Sequence, residues 1–240
     1  MELPEPLDVI AVGAHPDDVE VACGGTLAKL AAAGKRVGIV DLTDGEPTPF
    51  SDGPHARLHE ARRAAETLGV AERIQMDFPN RRLMDGFECR LELAKVFRRF
   101  RPRVVLGFGD KTPMASPDHH QAMLITDAAV FYSRLSKWQE HFGELPEHKI
   151  ERHLYFRLAL EPMTIAENPF HLLVEISETL EQKIASMQCY ESQFAHKHAM
   201  DERIRAAAVM TGSIAGVAAA ESFAAARPFA VGDLFDAVGL

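Results

Sequence analysis

The chain has 240 residues, of which 47% are hydrophobic and 25% are charged, so it can build a full core and disorder is excluded as its main state. Lys and Arg number 26 against 35 Asp and Glu, and the net charge of −9 argues against a protein that binds duplex nucleic acid. The three cysteines, at positions 23, 89 and 189, form no CxxC pair. A disulfide framework is therefore not expected, and a reducing compartment is.

The sequence offers no targeting or membrane segment. Residues 1–6 (MELPEP) are acidic and rich in proline, unlike the basic and then apolar start of a secretory signal. The longest apolar run, 206–220, consists mostly of small residues and ends at Glu221. It is shorter than the roughly 20 residues that a membrane-spanning helix needs. We therefore expect a cytoplasmic protein that does not associate with membranes.

The first part of the chain alternates between short apolar runs and amphipathic segments. The apolar runs are rich in β-branched residues, as in strands that are buried on both faces of a parallel sheet. Strands are predicted at 8–14, 36–42, 74–78 and 104–108, and helices at 21–33, 55–68 and 89–100. This alternation requires parallel βαβ units with right-handed crossovers. The predicted fold is α/β and Rossmann-like, a mostly parallel sheet flanked by helices.

The second part of the chain is less regular. Helices are predicted at 118–135, 178–194 and 201–226, and strands at 153–160 and 172–176. There is no internal repeat, and no linker is longer than an ordinary loop. The sequence therefore predicts a single domain, 1–240, with an irregular C-terminal half. The alanine-rich stretch 206–220 is interpreted as core or as a subunit interface.

A dense group of ionisable side chains follows the first predicted strand, in the run 13–18 (GAHPDD). Ligands of open parallel sheets bind beyond the carboxyl ends of the strands. Pro16 stiffens the turn, so that His15 and Asp18 could reach one metal ion while Asp17 points elsewhere. Helix capping would account for one aspartate but not for the whole group. A dinucleotide site is disfavoured because the glycine fingerprint is missing and two carboxylates would repel a pyrophosphate.

A second group follows the fourth predicted strand, in the run 109–120, which includes His119 and His120. It leaves the same edge of the sheet, so it can face the first group. Two histidines and one carboxylate with an open fourth position form a hydrolytic zinc site. Consecutive helical residues point about 100° apart, so only one of the two histidines is expected to join His15 and Asp18.

These motifs make the chain recognisable. Ala14-His15-Pro16-Asp17-Asp18 with Pro117-Asp118-His119 resembles the PIG-L/LmbE-like zinc-dependent de-N-acetylases, which remove acetyl groups from N-acetylglucosamine units. Their substrates include small thiol precursors, GPI intermediates and chito-oligosaccharides. The chain is most similar to the subset that deacetylates N-acetylglucosaminyl malate in bacillithiol synthesis. Further parts of the resemblance are the loop 41–50 (DLTDGEPTPF), 57–60 (RLHE), 79–81 (PNR) and 192–194 (SQF).

The resemblance assigns roles to particular residues. It implies that His15, Asp18 and His119 are the metal ligands. It implies that Asp17 is the general base and that Arg57 holds substrate near the site. The implied metal is Zn²⁺, and the same ligand set accepts Fe²⁺. Two carboxylates are candidates for orienting a ligating histidine from behind it: Asp110 and Asp118.

Three residues are candidates for binding substrate. Arg57 can hold a carboxylate such as malate, and the resemblance favours this role over the alternative of a surface ion pair with Glu60 on the same helix. Glu46 and Arg81 follow the second and third predicted strands on the same side of the sheet. They could hydrogen-bond sugar hydroxyls or an anionic aglycone, or they could simply form turns.

One departure from the family pattern concerns Ser116. The family often carries a histidine there, which aids transition-state stabilisation or proton transfer. Serine cannot be a cationic donor, so this role is lost, weakened to a neutral hydrogen bond or supplied elsewhere. Three other histidines are candidates on chemistry alone: His120, His196 and His198.

The sequence therefore predicts a metal-dependent hydrolase that deacetylates an N-acetylglucosamine derivative, with water activated by zinc and Asp17 as general base. The alternative is a metal-binding member of the family with lost or altered catalysis, which serves as a binding or assembly subunit. A nucleotide- or phosphosugar-binding domain ranks third. The expected partner is a small N-acetylated sugar conjugate, and the resemblance implies a homo-oligomer.

Overall fold

The computed structural model describes residues 3–158, 172–228 and 230–232. The described strands are β1 Val9–Gly13, β2 Val37–Thr43, β3 Glu72–Phe78, β4 Val104–Phe108, β5 Arg152–Phe156, β6 Leu172–Glu175 and β7 Ala220–Ala225. The described helices are α1 Asp18–Ala32, α2 Pro54–Leu68, α3 Phe87–Phe100, α4 Asp118–Tyr132, α5 Gln139–Phe142, α6 Leu180–Gln188, α7 Glu191–Phe194 and α8 Met200–Ile214.

The strands form one sheet in the order β3-β2-β1-β4-β5-β7-β6. The first five strands in this order are parallel, while β7 runs antiparallel to both β5 and β6. Every residue of β1 and β2 is buried, as expected for strands covered by helices on both faces. The predicted α/β fold with a mostly parallel sheet is thus confirmed. Its extent as a single domain over 1–240 stays a prediction.

The strand order creates a topological switch point between β1 and β4. From β1 the chain builds outwards through β2 to β3, and it then returns to add β4 and β5 on the other side. Crevices that bind ligands open at such points, beyond the carboxyl ends of the two central strands. The fold therefore directs both chemically rich segments, the one after β1 and the one after β4, to the same crevice.

The helices pack in two groups. Helix α3 packs against α4, whereas α1 packs against α2 and α6. The main core lies between the sheet and these helices, and a second apolar cluster lies among α2, α6 and α8. Within the described ranges, no helix is both long and apolar enough to cross a bilayer.

In the second part of the chain the structure corrects four predicted elements. The predicted helix 201–226 is wrong, because α8 ends at Ile214 and residues 220–225 form β7. Alanine favours helix, but the hydrogen bonds that β7 makes to β5 and β6 override this propensity. Gly212 allows the segment that leads from α8 into β7 to pass close to the helix, since a Cβ at this position would lie 2.7 Å from the Cα of Ala219.

The predicted helix 178–194 is interrupted at Cys189 and Tyr190, which separate α6 from α7. Tyr190 is fully buried at this break, and its hydroxyl donates to Glu20 Oε1 at 2.8 Å. The predicted strand 153–160 ends at Phe156, and its last two positions lie outside the described residues. Helix α4 ends at Tyr132, three residues earlier than predicted.

Candidate active site

The two predicted groups of ionisable residues meet at the switch point. His15 and Asp18 follow β1 directly, and His119 lies in the first turn of α4, after β4. The donor atoms of these three side chains all lie within 4.8 Å of one another. Asp18 Oδ2 is 3.3 Å from His15 Nδ1, and Asp18 Oδ1 is 3.2 Å from His119 Nε2. The structure therefore brings the three predicted metal ligands together.

The donor set fits a metal ion. Two imidazole nitrogens and one carboxylate form a three-residue set of the kind that catalytic zinc sites use, and ferrous iron accepts the same donors. Asp18 and His119 are buried, so few waters compete for their donor atoms. His120, the other candidate of the pair, is not a member of this group. The group thus matches the choice of His119 that the resemblance implies.

Asp18 is fixed by the backbone of its own turn. Its Oδ2 accepts hydrogen bonds from the amides of Ala14, at 3.0 Å, and His15, at 2.9 Å. Burial would raise the pKa of Asp18, but the charges and hydrogen bonds of His119 and His15 outweigh burial and hold this pKa well below its usual range. Asp18 is therefore an ionised and rigidly placed donor.

His119 is oriented by residues on both sides of its ring. Its Nδ1 lies 2.8 Å from Thr112 Oγ1, and its ring stacks on Phe108 with centroids 4.7 Å apart. A partner on one ring nitrogen fixes the tautomer and leaves the other nitrogen for a metal. The sequence analysis missed Thr112, because no motif marks it and only the folded loop brings it to His119.

Asp118 lies behind His15. Its Oδ2 is 3.3 Å from His15 Nε2, and it also accepts a hydrogen bond from the backbone amide of Arg81 at 2.6 Å. Of the two carboxylates considered for this position, Asp118 is thus the one in contact with a ligating histidine. Asp110 instead accepts a hydrogen bond from the neighbouring amide of Lys111.

Asp17 precedes Asp18 in the chain but is not a member of the donor group, which consists of His15, Asp18 and His119. The φ of Asp17, 115°, lies in a region that side chains rarely adopt. Burial raises the pKa of Asp17 to about 6, although the charge of Arg57 opposes this rise. The Asp17 carboxylate lies 3.7 Å from Arg57 Nη2. An aspartate with this pKa can both accept and donate a proton near neutral pH, as a general acid–base group must.

The predicted substrate residues occupy different environments. Arg57 is buried, and Nη2 donates to the carbonyl oxygen of Pro16 at 2.5 Å. Glu46 is also buried, and its carboxylate accepts from the amide and hydroxyl of Thr48 at 2.7 and 2.9 Å. Arg81 is exposed and enters the site region through its backbone amide. Their roles in substrate binding stay predictions.

The residues linked to the missing family histidine are also spread out. Ser116 Oγ accepts a hydrogen bond from the Asp118 amide at 3.3 Å. His120 is half-buried, and its Nδ1 has no hydrogen-bond partner among the described residues. His196 is exposed and packs on Phe50 with ring centroids 4.0 Å apart. The exposed His198 lies just before α8. None of the described contacts assigns the role of the missing histidine to any of these residues.

Comparison with known proteins agrees with the geometry. The sequence profile of the family "PIG-L: GlcNAc-PI de-N-acetylase" matches residues 10–130. The diacetylchitobiose deacetylase of Thermococcus kodakarensis is 32% identical over 78% of this chain and 70% of that protein. The 1D-myo-inositol 2-acetamido-2-deoxy-alpha-D-glucopyranoside deacetylase of Corynebacterium diphtheriae is 28% identical over 49% of this chain and 50% of that protein. The conserved protein TT1542 from Thermus thermophilus superposes with a TM-score of 0.82 at 34% identity, covering 95% of this chain and 98% of that one.

Proposed function

The chain belongs to the PIG-L family, and from this we propose that it hydrolyses the acetamide of an N-acetylglucosamine derivative, releasing acetate and a free amine. One observation carries the proposal. Two histidines and an aspartate converge within 4.8 Å at the switch point of the sheet, with a second aspartate beside them. This is the arrangement that metal-assisted amide hydrolysis needs.

His15, Asp18 and His119 would hold the metal ion, which we propose to be zinc, with ferrous iron as the alternative that these donors accept. A zinc ion supplies Lewis acidity, which polarises an amide carbonyl and acidifies water. The protein contributes a buried and pre-oriented donor set, because the Asp18 carboxylate is tied to its own turn and the His119 ring to Thr112.

Asp17 performs the proton transfers in this proposal. As a carboxylate it takes a proton from the attacking water, and as a carboxylic acid it returns the proton to the amine that leaves. Its pKa of about 6 supports both steps, since neither protonation state is costly near neutral pH. Asp118 keeps the His15 ring in place from behind, through the 3.3 Å contact with Nε2.

For the substrate we propose a small N-acetylated sugar conjugate, with N-acetylglucosaminyl malate as the first candidate. The exposed guanidinium of Arg81 is suited to a carboxylate on the aglycone, because Arg binds carboxylates with two parallel hydrogen bonds. Its backbone amide is bonded to Asp118, which places the residue at the edge of the donor group. We propose no nucleic-acid or membrane partner.

We propose further that the chain forms a homo-oligomer. Helix α8 presents three apolar side chains that are between 46% and 65% exposed, Val209, Met210 and Ile214. Exposed apolar residues that lie close together on one element are typical of contact surfaces. Light scattering should give a mass of two or more times 26.5 kDa, and a purely monomeric protein would contradict the proposal.

Ser116, which replaces the family histidine, supports a second candidate function. If the histidine that the family often carries there is indispensable, the chain binds metal without turnover and serves as a binding or assembly subunit. Acetate release from the N-acetylated forms of glucosaminyl malate, glucosaminyl inositol and chitobiose, combined with elemental analysis, separates the two. We expect stoichiometric metal and release from at least one substrate. Metal without any release would favour the second candidate.

The variant Asp17→Asn tests the assigned base. It keeps the shape of the side chain and removes its proton affinity, so we expect metal content to stay stoichiometric while turnover falls about 10²- to 10⁴-fold. Asp110→Asn is the matched control, since Asp110 lies after β4 and bonds only to the amide of Lys111 among the contacts described. Full activity of Asp17→Asn would show that another group is the base.

A further inference from the structure

Arg57, on α2, is a buried cation whose best hydrogen bond goes to the turn that carries the base. It is 1% exposed, and Nη2 donates to the carbonyl oxygen of Pro16 at 2.5 Å. The same nitrogen lies 3.7 Å from Asp17 Oδ2. Its Nε and Nη1 have no hydrogen-bond partner within the part of the chain that the structure describes. The guanidinium therefore places its one strong bond on the peptide just before Asp17.

Two carboxylates balance the charge of Arg57 without competing for its hydrogens. Glu46 Oε1 lies 3.7 Å from Nε, and Glu60 Oε2 lies 4.0 Å from Nη1. Both acids are committed elsewhere. Glu46 accepts from Thr48, while Glu60 accepts from the amide and hydroxyl of Ser192 at 2.8 and 2.6 Å. They stabilise a buried cation at this position, whereas the hydrogen bond to Pro16 determines how the guanidinium is oriented.

The surroundings fix the guanidinium from its remaining sides. The Tyr190 ring lies 5.4 Å from its central carbon. A Cβ added at Gly45 would lie 3.0 Å from Nη2, so the loop after β2 passes directly against it. The loop after β2, the helix α2 and the segment around α7 thus converge on one side chain. They include three stretches that the sequence resemblance singled out, 41–50, 57–60 and 192–194.

The turn to which Arg57 donates its hydrogen bond has an unfavourable backbone conformation at Asp17. Asp17 has φ 115° and ψ −27°, which a residue with a side chain keeps only where its surroundings over-determine it. On one side the Asp18 carboxylate binds the amides of Ala14 and His15. On the other side the hydrogen bond from Arg57 to Pro16 closes the turn.

We propose that Arg57 is a positioning residue that acts through Asp17, rather than a residue that touches substrate. By holding the Pro16 carbonyl it keeps the strained turn closed and aims the Asp17 carboxylate at the donor group. This inference rests on the proposed role of Asp17 as base. It explains why a cation that is only 1% exposed lies beside the turn that carries Asp17.

The test compares Arg57→Gln and Arg57→Lys with a control on the same helix, Arg62→Gln, whose side chain is exposed. Metal-loaded protein is assayed for kcat and KM of acetate release, and for metal content. Arg57→Gln should lower kcat about 100-fold with KM within about twofold and metal unchanged, since a displacement of about 1 Å costs this much. The kcat of Arg57→Lys should lie between that of Arg57→Gln and that of the unchanged protein. Its ammonium group can donate to the Pro16 carbonyl but lacks the planar geometry of the guanidinium.

A double variant excludes a merely structural role. If Arg57 acts only through Asp17, then adding Arg57→Gln to Asp17→Asn should leave kcat where Asp17→Asn alone puts it. A further loss in the double variant, or a higher KM at unchanged kcat in Arg57→Gln, would overturn the proposal. If Arg57→Gln does not fold, the KM and kcat of Arg57→Lys decide the same question. Full activity of Asp17→Asn would instead remove the proposed function on which the inference rests.

Discussion

The two edges of the central sheet bury titratable groups in opposite ways. At the carboxyl edge Asp18 stays charged, because His15 and His119 outweigh the effect of burial and lower its pKa. Near the amino edge His153, in β5, is half-buried, with Nε2 unbonded among the described atoms and Nδ1 3.5 Å from Asp127 Oδ1, and burial lowers its pKa to about 4. Burial favours the neutral form of both groups, and at Asp18 the charges and hydrogen bonds of two histidines outweigh it. At the carboxyl edge the partners of Asp18, and not its burial, therefore set its charge.

Asp18→Ala, at the carboxyl edge, should change the protein most strongly. This change removes a proposed metal donor and also the acceptor of two backbone amides. Metal affinity should fall by well over the roughly 100-fold that losing a group behind a ligand costs. We expect chelation to lower the melting temperature of the unchanged protein and to have no such effect on Asp18→Ala. Elemental analysis and thermal melts measure both. Stoichiometric metal in Asp18→Ala, with Asp110→Ala as control, would remove the distinction between the edges.

A second prediction concerns the neutral edge and pH. The folded pKa of His153 lies near 4 and its unfolded value near 6.5, so the unfolded chain binds more protons between these values. The free energy of unfolding should therefore fall as the pH is lowered, by about 2 kcal/mol between pH 7 and pH 5. Urea titrations of the protein and of His153→Phe measure this contribution. His153→Phe should lose it, while the exposed His198→Gln should keep it. If the free energy of unfolding fell equally with pH in the protein and both variants, His153 would not be the group responsible for this pH dependence.

A third prediction tests whether metal affinity at the carboxyl edge depends on the orientation of the His119 ring or only on its burial. Thr112→Val removes the hydrogen bond to His119 Nδ1 and keeps the side-chain shape, so metal affinity should fall about tenfold. Thr126→Val is the control, since Thr126 is also buried and its hydrogen bond, within the part of the chain that the structure describes, goes to the carbonyl of Ala122 in the same helix. It should alter stability and leave metal affinity unchanged. Competition with a chromogenic chelator measures both variants. Equal affinities would mean that Phe108 alone orients the ring.

The smallest effect is expected at Ser116. Among the described residues its hydroxyl accepts one long hydrogen bond, 3.3 Å, from the Asp118 amide. Ser116→Ala should change stability by less than about 0.5 kcal/mol and leave metal affinity as it is. A calorimetric scan and the same chelator competition check this. A tenfold loss of acetate release in this variant would reveal that the serine hydroxyl itself takes part in catalysis.

The sequence predicted what local patterns determine. Apolar runs mark strands such as β1 and β2 because both faces are buried, and the run 13–18 marks the site because ionisable groups crowd at a strand end. It did not predict β7, whose alanines favour helix until two neighbouring strands pair with them. Nor did it predict that Thr112 contacts His119 or that Arg57 is buried behind Asp17. Those contacts join loops that are distant along the chain, and no local period encodes them.

The backbone at Asp17 also restricts what evolution can place there. With φ at 115°, glycine and asparagine are the replacements that the main chain accepts most readily, and neither can carry a proton between water and an amine. Glutamate would keep a carboxylate but place it one methylene farther from the main chain. Position 17 therefore has no neutral step away from aspartate, and a lineage that relinquished turnover should show it first as glycine or asparagine at this position.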